Sequence, residues 1–495
     1  MSELRVIVRH AGTVLVGQLA VMAFGVADTI IAGRHSPQAL ATLSLASSIY
    51  ISVYVALNAL VQALLPVWAE LHGAGRRTEL GRSVRQALYV GTLGSLIGIA
   101  ALCFPDPWLT WTDVPAALWP QVREYLLVLA VALTPSLFFR LYSTLNQSLG
   151  LPRLVTWLQA GALLVKVPLS AVLTFGLGHW NGMGIVGCAW STLVVNGLMM
   201  LTGLWLLRTR DLYCPYHLWQ RLEAPDLLQL RRFLALGIPA GLSVMVEVTS
   251  FTLMALFIAR LGEVALASHQ IAASMAAVLY MVPLSLGIAT SARVGYWIGA
   301  GHQAQARAAA HTGLRLAAGM AVACAGLLAM GREAIATTYA RDTAVASAAA
   351  IWLGWVAWYH LADALQAVCV FVLRCWRITL SPLLIYTGLL WGLGLYGGYL
   401  MAYQGLGTWP AQPSVQTFWL TSTHSIADQV GDCTLQLRAR AEQLPIRHFL
   451  KDKVVHRLAC HALQSGQGSR VRLHLCHERS KRDLLGLARG RTAFQ

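Results

Sequence analysis

Leu60 to Leu88, LVQALLPVWAELHGAGRRTELGRSVRQAL, decides the fold, because its second half returns far downstream as Ser291 to Leu314, SARVGYWIGAGHQAQARAAAHTGL. Setting Gly73-Ala74-Gly75 on Gly299-Ala300-Gly301 fixes an offset of 226 residues, from 73 to 299. The same offset lays Ser36-Pro37-Gln38-Ala39-Leu40-Ala41 on Gly262-Glu263-Val264-Ala265-Leu266-Ala267, and it puts the turn at Gly150-Leu151-Pro152-Arg153 beside Trp376-Arg377. One long half has been laid down twice in the same order.

The solvent for that repeat is lipid. Of the 495 residues 57% are hydrophobic and only 12% charged, and the mean hydropathy is +0.58. These proportions exclude a string of soluble domains and require an integral, polytopic membrane protein. Many of the 17 tryptophans stand near the ends of apolar runs, where an amphipathic ring suits the headgroup level. The nine cysteines are scattered without zinc or redox spacing and read as small core residues. The net charge of +16 does not gather around aromatic stacking residues, so no nucleic acid partner is expected. No Ala-x-Ala site follows the first apolar run, which therefore reads as a retained helix rather than a signal peptide.

Runs of spanning length lie at about 9–32, 43–68, 86–104, 122–145, 155–177 and 184–207, and then at about 235–259, 268–292, 310–330, 345–372 and 380–403. The expected domains are a first transmembrane lobe over 1–207, a linker over 208–232, a second lobe over 233–420 and a basic polar tail over 421–495. The fold class is all-α, with two parallel-repeated six-helix bundles. The twelfth helix reads as missing or truncated: an apolar segment begins at Val415, reaches Phe418-Trp419-Leu420 and stops. The tail then reads as an extension, a soluble appendage, or the product of a frame change that replaced the last helix.

The connections alternate in charge. Bases occupy every second gap: Arg76, Arg77, Arg82 and Arg85; Arg153; Arg208, Arg210, Arg221, Arg231 and Arg232; Arg307 and Arg315; Arg374 and Arg377. Phe104 to Gln121 and Gly178 to Gly184 contain no Lys or Arg. The positive-inside rule puts the amino terminus, the Gly73 loop and the linker in the cytoplasm. A parallel repeat predicts two bundles about an axis along the membrane normal, with a cavity between them.

Ionisable side chains at membrane depth are costly and therefore mark function or a buried pair. Asp28 lies in helix 1, Glu247 in the middle of helix 7 and Asp363 in helix 10. Glu247 and Asp363 read as a cation-coupling pair that exchanges a proton or, if the two carboxylates converge, binds sodium. Tyr359 stands four residues before Asp363 and shares its helix face. Asp28 reads either as a coupling and substrate-binding group or as the salt-bridge partner of Lys166 in helix 5. Lys166, Gln270, Tyr280 and Gln366 are further substrate-binding candidates. His269 can face the same cavity or bond between helices, and His360 reads as packing. Arg293 ends helix 8, where snorkelling explains it.

These residues carry a resemblance. ADTIIAG with the following ALA, LLPVWAELHGAGRR, GIPAGLSVMVEVTSF, ALASHQIAASMAAVLYMVPLSLGIATSARVGYWIGAG and ADALQAV are similar to the signatures of the multidrug and toxic compound extrusion (MATE) transporters, and most closely to their NorM-like bacterial branch. The resemblance runs from about residue 5 to 405. It implies a V-shaped two-lobed antiporter in the bacterial inner membrane, a monomer that exports amphipathic, often cationic drugs by alternating access. Its coupling ion is a proton or sodium, and it needs no cofactor and does no enzyme chemistry. The family's helix-1 aspartate falls on Asp28, its helix-7 glutamate on Glu247, its helix-10 aspartate on Asp363 and a nearby aromatic on Tyr359. Lys166 and Ser170 stand where NorM-like members often carry asparagines, and a cation there opposes sodium binding in the first lobe. Two other readings stay open: a flippase for a lipid-linked or other large amphiphile, and an inactive product lacking helix 12.

Overall fold

The computed structural model describes residues 2–111, 116–405 and 410–441. Eleven helices among the described residues are long and apolar enough to cross a membrane. In chain order they are α1 (Glu3–His35), α2 (Pro37–Gly73), α3 (Arg77–Cys103), α4 (Trp119–Ser148), α5 (Pro152–Phe175), α6 (Val186–Thr209), α7 (Leu227–Ala259), α8 (Glu263–Gly299), α9 (Gln303–Tyr339), α10 (Thr343–Cys375) and α11 (Leu380–Tyr403). The expected spans all appear. Most are longer than their apolar runs because the last turns extend into polar sequence.

Two of the helices are interrupted for identifiable reasons. In α2 the regular helix stops at Gln62 and restarts at Leu65, because Pro66 lacks an N–H and its ring conflicts with the carbonyl four residues earlier. In α11 a π-helical segment, Gly388–Tyr396, separates two short α-helical pieces. Such widened turns are rare and accompany local packing demands, here the close approach of the next helix.

That next helix, α12 (Val415–Ala441), is where the structure departs most from the sequence reading. The segment expected to stop at Leu420 continues for 27 residues and packs on α10 and α11. Val415, Phe418, Trp419, Ser422, Ser425, Ile426, Gln429, Cys433 and Gln436 form its buried stripe, with the three-and-four spacing of one helix face. Its polarity is met by protein rather than lipid. Thr421 Oγ1 donates to the Gly394 carbonyl at 2.7 Å, within the π segment, and Ser381 Oγ donates to Gln436 Oε1 at 2.9 Å. A side chain at Gly394 or Gly398 would meet Ser425 or Thr421. Helices associate in this way when small residues and interhelical hydrogen bonds replace apolar burial. The tail beyond, 442–495, lies outside the described residues.

The duplicated stretch turns out to join the two lobes. A Cβ added at Gly73 would run into the backbone oxygen of Tyr296, and one at Gly299 into that of Glu70. Residues 70 and 296 are themselves repeat partners, so the two contacts are one contact made twice about a pseudo-twofold axis. Two ion pairs cross at the same end: Arg293 Nη2 to Glu3 Oε1 and Arg377 Nη2 to Glu70 Oε2, each 2.6 Å. Arg293 therefore does more than snorkel. It grips Glu3 through Nε as well, and Trp297 Nε1 donates to the same carboxylate. The linker is strapped to the first lobe: Arg85 holds Glu223 through Nε and Nη2, and Tyr213 OH donates to Asn146 Oδ1 at 2.6 Å.

Candidate functional site

Three carboxylates expected to matter sit in two different environments. In the first lobe Asp28 on α1 and Lys166 on α5 form a buried ion pair, with Nζ 2.9 Å from both carboxylate oxygens. The ammonium also donates to Ser191 Oγ at 2.7 Å, Thr192 Oγ1 at 2.8 Å and the Cys188 carbonyl at 3.1 Å, all on α6. Ser170 Oγ donates to Asp28 Oδ1 at 3.0 Å. Lys166 is 1% exposed, so its charge is met by protein oxygens from two other helices, α1 and α6. Asp28 thus takes the salt-bridge arrangement, one of the two the sequence left open.

The second lobe is built differently. Glu247 on α7 lines a cavity of ≈ 20 Å³ with Tyr280 of α8, Gln366 and Arg374 of α10, Tyr386 of α11 and Gln429 of α12. Five of the lobe's six helices meet there. Asp363 is buried on α10, three residues before Gln366 of that lining. Tyr280 and Tyr386 share the cavity lining, and Tyr359 is buried one turn before Asp363 on α10. Asp363 Oδ1, Tyr386 OH and both amide atoms of Gln429 are buried without a hydrogen-bond partner. Beside this polar centre stands an aromatic wall. Tyr359 and Trp419 meet edge to face at 5.6 Å, Phe251 joins them at 5.9 and 6.2 Å, and His269 lies 5.7 Å from Trp419.

The structure thus brings Glu247, Tyr280 and Gln366 onto one cavity, with Asp363 buried three residues before Gln366 and Tyr359 in the aromatic wall. It leaves Gln270 exposed and outside this cavity, and keeps Asp28 and Lys166 in the other lobe. His269 belongs to the aromatic wall, and His360 is buried. Sequence reasoning missed three residues. Arg374, counted there as a loop base, is 5% exposed and its guanidinium stacks 4.6 Å from the Phe371 ring centroid. Its nearness to Asp363 on one helix, eleven residues or three turns along, was the available signal. Tyr386 sits in an apolar run without any charged neighbour to flag it. Gln429 fell in the stretch assigned to the tail. Among the described residues no group of three or more His, Cys, Asp or Glu gathers to hold a metal ion.

The MatE family model matches residues 14–172 and 239–400, two segments spaced as the repeat predicts. A "Probable multidrug resistance protein NorM" of Aromatoleum aromaticum is 36% identical over 414 residues, covering 83% of this chain and 89% of that protein. "Multidrug resistance protein PmpM" of Pseudomonas aeruginosa is 33% identical over 414 residues, covering 83% and 86%. Among solved structures, the eukaryotic MATE transporter AtDTX14 matches with a TM-score of 0.79 at 18% identity, covering 88% of this chain and 95% of that one. A multidrug resistance MATE family transporter in an outward-facing conformation gives 0.80 at 15% identity, covering 90% and 97%. The duplicated lobes, the extent of the family match and relatives above 30% identity lead to one conclusion: the chain is a multi-pass membrane protein of the MatE family, whose members are transporters rather than enzymes.

Proposed function

We propose that this chain exports amphipathic, often cationic drugs from a bacterial cytoplasm, driven by inward movement of a proton or sodium ion through the inner membrane. The relatives' names supply multidrug resistance. The observation that carries ion coupling is Glu247 on the lining of one small second-lobe cavity, with Asp363 buried on α10 three residues before Gln366 of the same lining. A cation entering there offsets their mutual repulsion and changes which arrangement of the lobes is favoured, and so lowers affinity for bound drug. Each charge moved with the membrane potential supplies about 2.3 kcal/mol per 100 mV. The basic connections and the positive-inside rule support an amino terminus in the cytoplasm. On that orientation the Gly73 and Gly299 end is the closed cytoplasmic end, as alternating access requires of one of its states.

In the first lobe Lys166 is a tethered cation already on Asp28. A mobile ion cannot share that carboxylate without displacing the ammonium, so coupling rests on the second lobe. The same pairing removes the feature that favoured a flippase, since Lys166 is not part of a broad basic lining. The test is purified protein in proteoliposomes loaded with a cationic dye. Imposing a sodium or proton gradient accelerates dye movement if the reading is right. Indifference to both gradients would refute coupling.

A further inference from the structure

We propose that the cavity where the two lobes meet at the cytoplasmic end binds a phosphate group, carried by an anionic phospholipid of the inner leaflet or free in solution. The inference goes beyond the transport reading and takes from it only the cytoplasmic placement of this end. The cavity, of ≈ 670 Å³, is walled by α1, α2, the turn from α4 into α5, and α8, so both lobes face it. Arg9 and His10 come from α1, His72 from α2, Arg153 from the first turn of α5 and Arg293 from α8. The carboxylates of the inter-lobe contact are already taken, Glu3 by Arg293 and Glu70 by Arg377. Among the described residues no carboxylate pairs with Arg9 or Arg153. Two positive charges therefore face the cavity uncompensated.

The donors on the lining select the guest. Helix α5 starts at Pro152 without a side-chain cap, and the N–H groups of Arg153 and Leu154 have no backbone acceptor, so the positive end of that helix lies on the cavity wall. A second group asks for a ligand independently. His10 is 5% exposed and lines the cavity, yet its Nε2 is buried without a hydrogen-bond partner, a costly state for a polar atom. Guanidinium and backbone N–H groups donate and cannot accept, and donors arriving from several helices suit the tetrahedral oxygens of a phosphate better than a flat carboxylate. The site also stands where phosphates are. Arg9 opens the first apolar run, Arg153 precedes the fifth and Arg293 follows the eighth, which puts all three at the depth of the inner-leaflet headgroups. Val6, Leu149, Leu151 and Leu154 give the rest of the lining an apolar character that suits glycerol and the first acyl carbons. Because α1 and α5 belong to one lobe and α8 to the other, a phosphate held here favours the closed cytoplasmic end over lobes drawn apart.

Thermal unfolding of the full chain in a non-ionic detergent, titrated separately with a short-chain phosphatidylglycerol, its phosphatidylcholine counterpart and inorganic phosphate at constant ionic strength, tests this. Phosphatidylglycerol raises the wild-type midpoint saturably, as a ligand of the folded state must, and phosphatidylcholine, which brings a cation into the same basic cavity, does not. Arg9→Gln combined with Arg153→Gln raises the half-saturating concentration about tenfold or more. Arg307→Gln combined with Arg315→Gln, which removes the same charge from the cytoplasmic end of α9 and away from the lining, leaves it within about twofold. If the first double variant cannot be purified, either of its single variants takes its place with about a threefold rise. A saturable rise with inorganic phosphate that depends on Arg9 and Arg153, without one for phosphatidylglycerol, keeps the phosphate site and overturns the lipid as its source. No saturable rise with either probe, or equal rises in wild type and the Arg9 and Arg153 variant, overturns the proposal. Either failure leaves the transport reading standing, since gradient-driven dye movement is measured apart from it.

Discussion

Replacing Lys166 by methionine keeps most of the side-chain volume and removes only the charge. Asp28 is then left buried with Ser170 as its remaining hydroxyl donor, and the three oxygens of Cys188, Ser191 and Thr192 lose the ammonium they accept from. Removing one partner of a buried pair costs about 3–5 kcal/mol, because the other charge stays behind uncompensated. Asp28→Asn leaves the converse, an unpaired buried ammonium, and carries a similar cost. The double variant Asp28→Asn with Lys166→Met leaves no charge, and apolar or neutral replacement of a buried pair is often close to neutral. A double-mutant cycle on thermal unfolding of detergent-purified protein therefore shows each single variant strongly destabilised and the double variant close to wild type. The interaction energy is then about 6 kcal/mol or more, the two single costs together, which exceeds the usual range for residues in contact. Losses that simply add would refute the idea that the first lobe is closed around a tethered cation.

Further outcomes follow from the same geometry. Gly73→Val places a branched side chain against the backbone oxygen of Tyr296; since backbone cannot swing aside as a side chain does, dye efflux falls, and Thr13→Cys, on the lining of the cavity beside His72 and Tyr296, becomes more accessible to a thiol reagent from the cytoplasmic side. Glu70→Gln removes a half-exposed inter-lobe pair with Arg377, worth about 0–1 kcal/mol, so efflux stays within about fivefold of wild type. Trp419→Ala strips the centre of the aromatic wall and lowers unfolding stability by about 3–5 kcal/mol, read by thermal denaturation. Arg85 holds the Glu223 carboxyl below the usual glutamate range, so the linker strap is stabilised above about pH 4.3 and loses that contribution as pH falls through the lowered value. Glu223→Gln accordingly lowers thermal stability at neutral pH, and the difference from wild type disappears in strong acid.

Most of the architecture was legible because lipid is a simple solvent. A spanning helix exposed to it must be apolar over about twenty residues, and eleven helices obey. The twelfth was not legible because burial against other helices imposes no such demand: Ser422, Ser425, Gln429 and Gln436 are buried in protein, where hydrogen bonds and glycine contacts replace hydrophobicity. The repeat forecast that a helix belonged there, while the hydropathy of 415–441 argued that it did not, and the repeat was the better guide. Charged residues within apolar runs were legible as sites for the same reason that lipid made the spans legible. Asp28, Lys166, Glu247 and Asp363 each stand out against it. Tyr386 and Gln429 do not, since neutral polar residues are cheap enough at helix contacts to pass as packing. Arg374 was visible, but its place near a helix end made it look like one more loop base. The glycine turn that revealed the duplication reads in sequence as a cytoplasmic loop; only three dimensions show that Gly73 and Gly299 are where the halves touch.

Coupling at the second-lobe carboxylates is most directly tested by comparing downhill and uphill dye movement in proteoliposomes containing wild type, Glu247→Gln or Asp363→Asn. The account predicts that wild type concentrates the dye against its gradient when an ion gradient is imposed, whereas each variant moves dye only downhill and accumulates none. Gradient-driven accumulation by both variants at the wild-type level would contradict it.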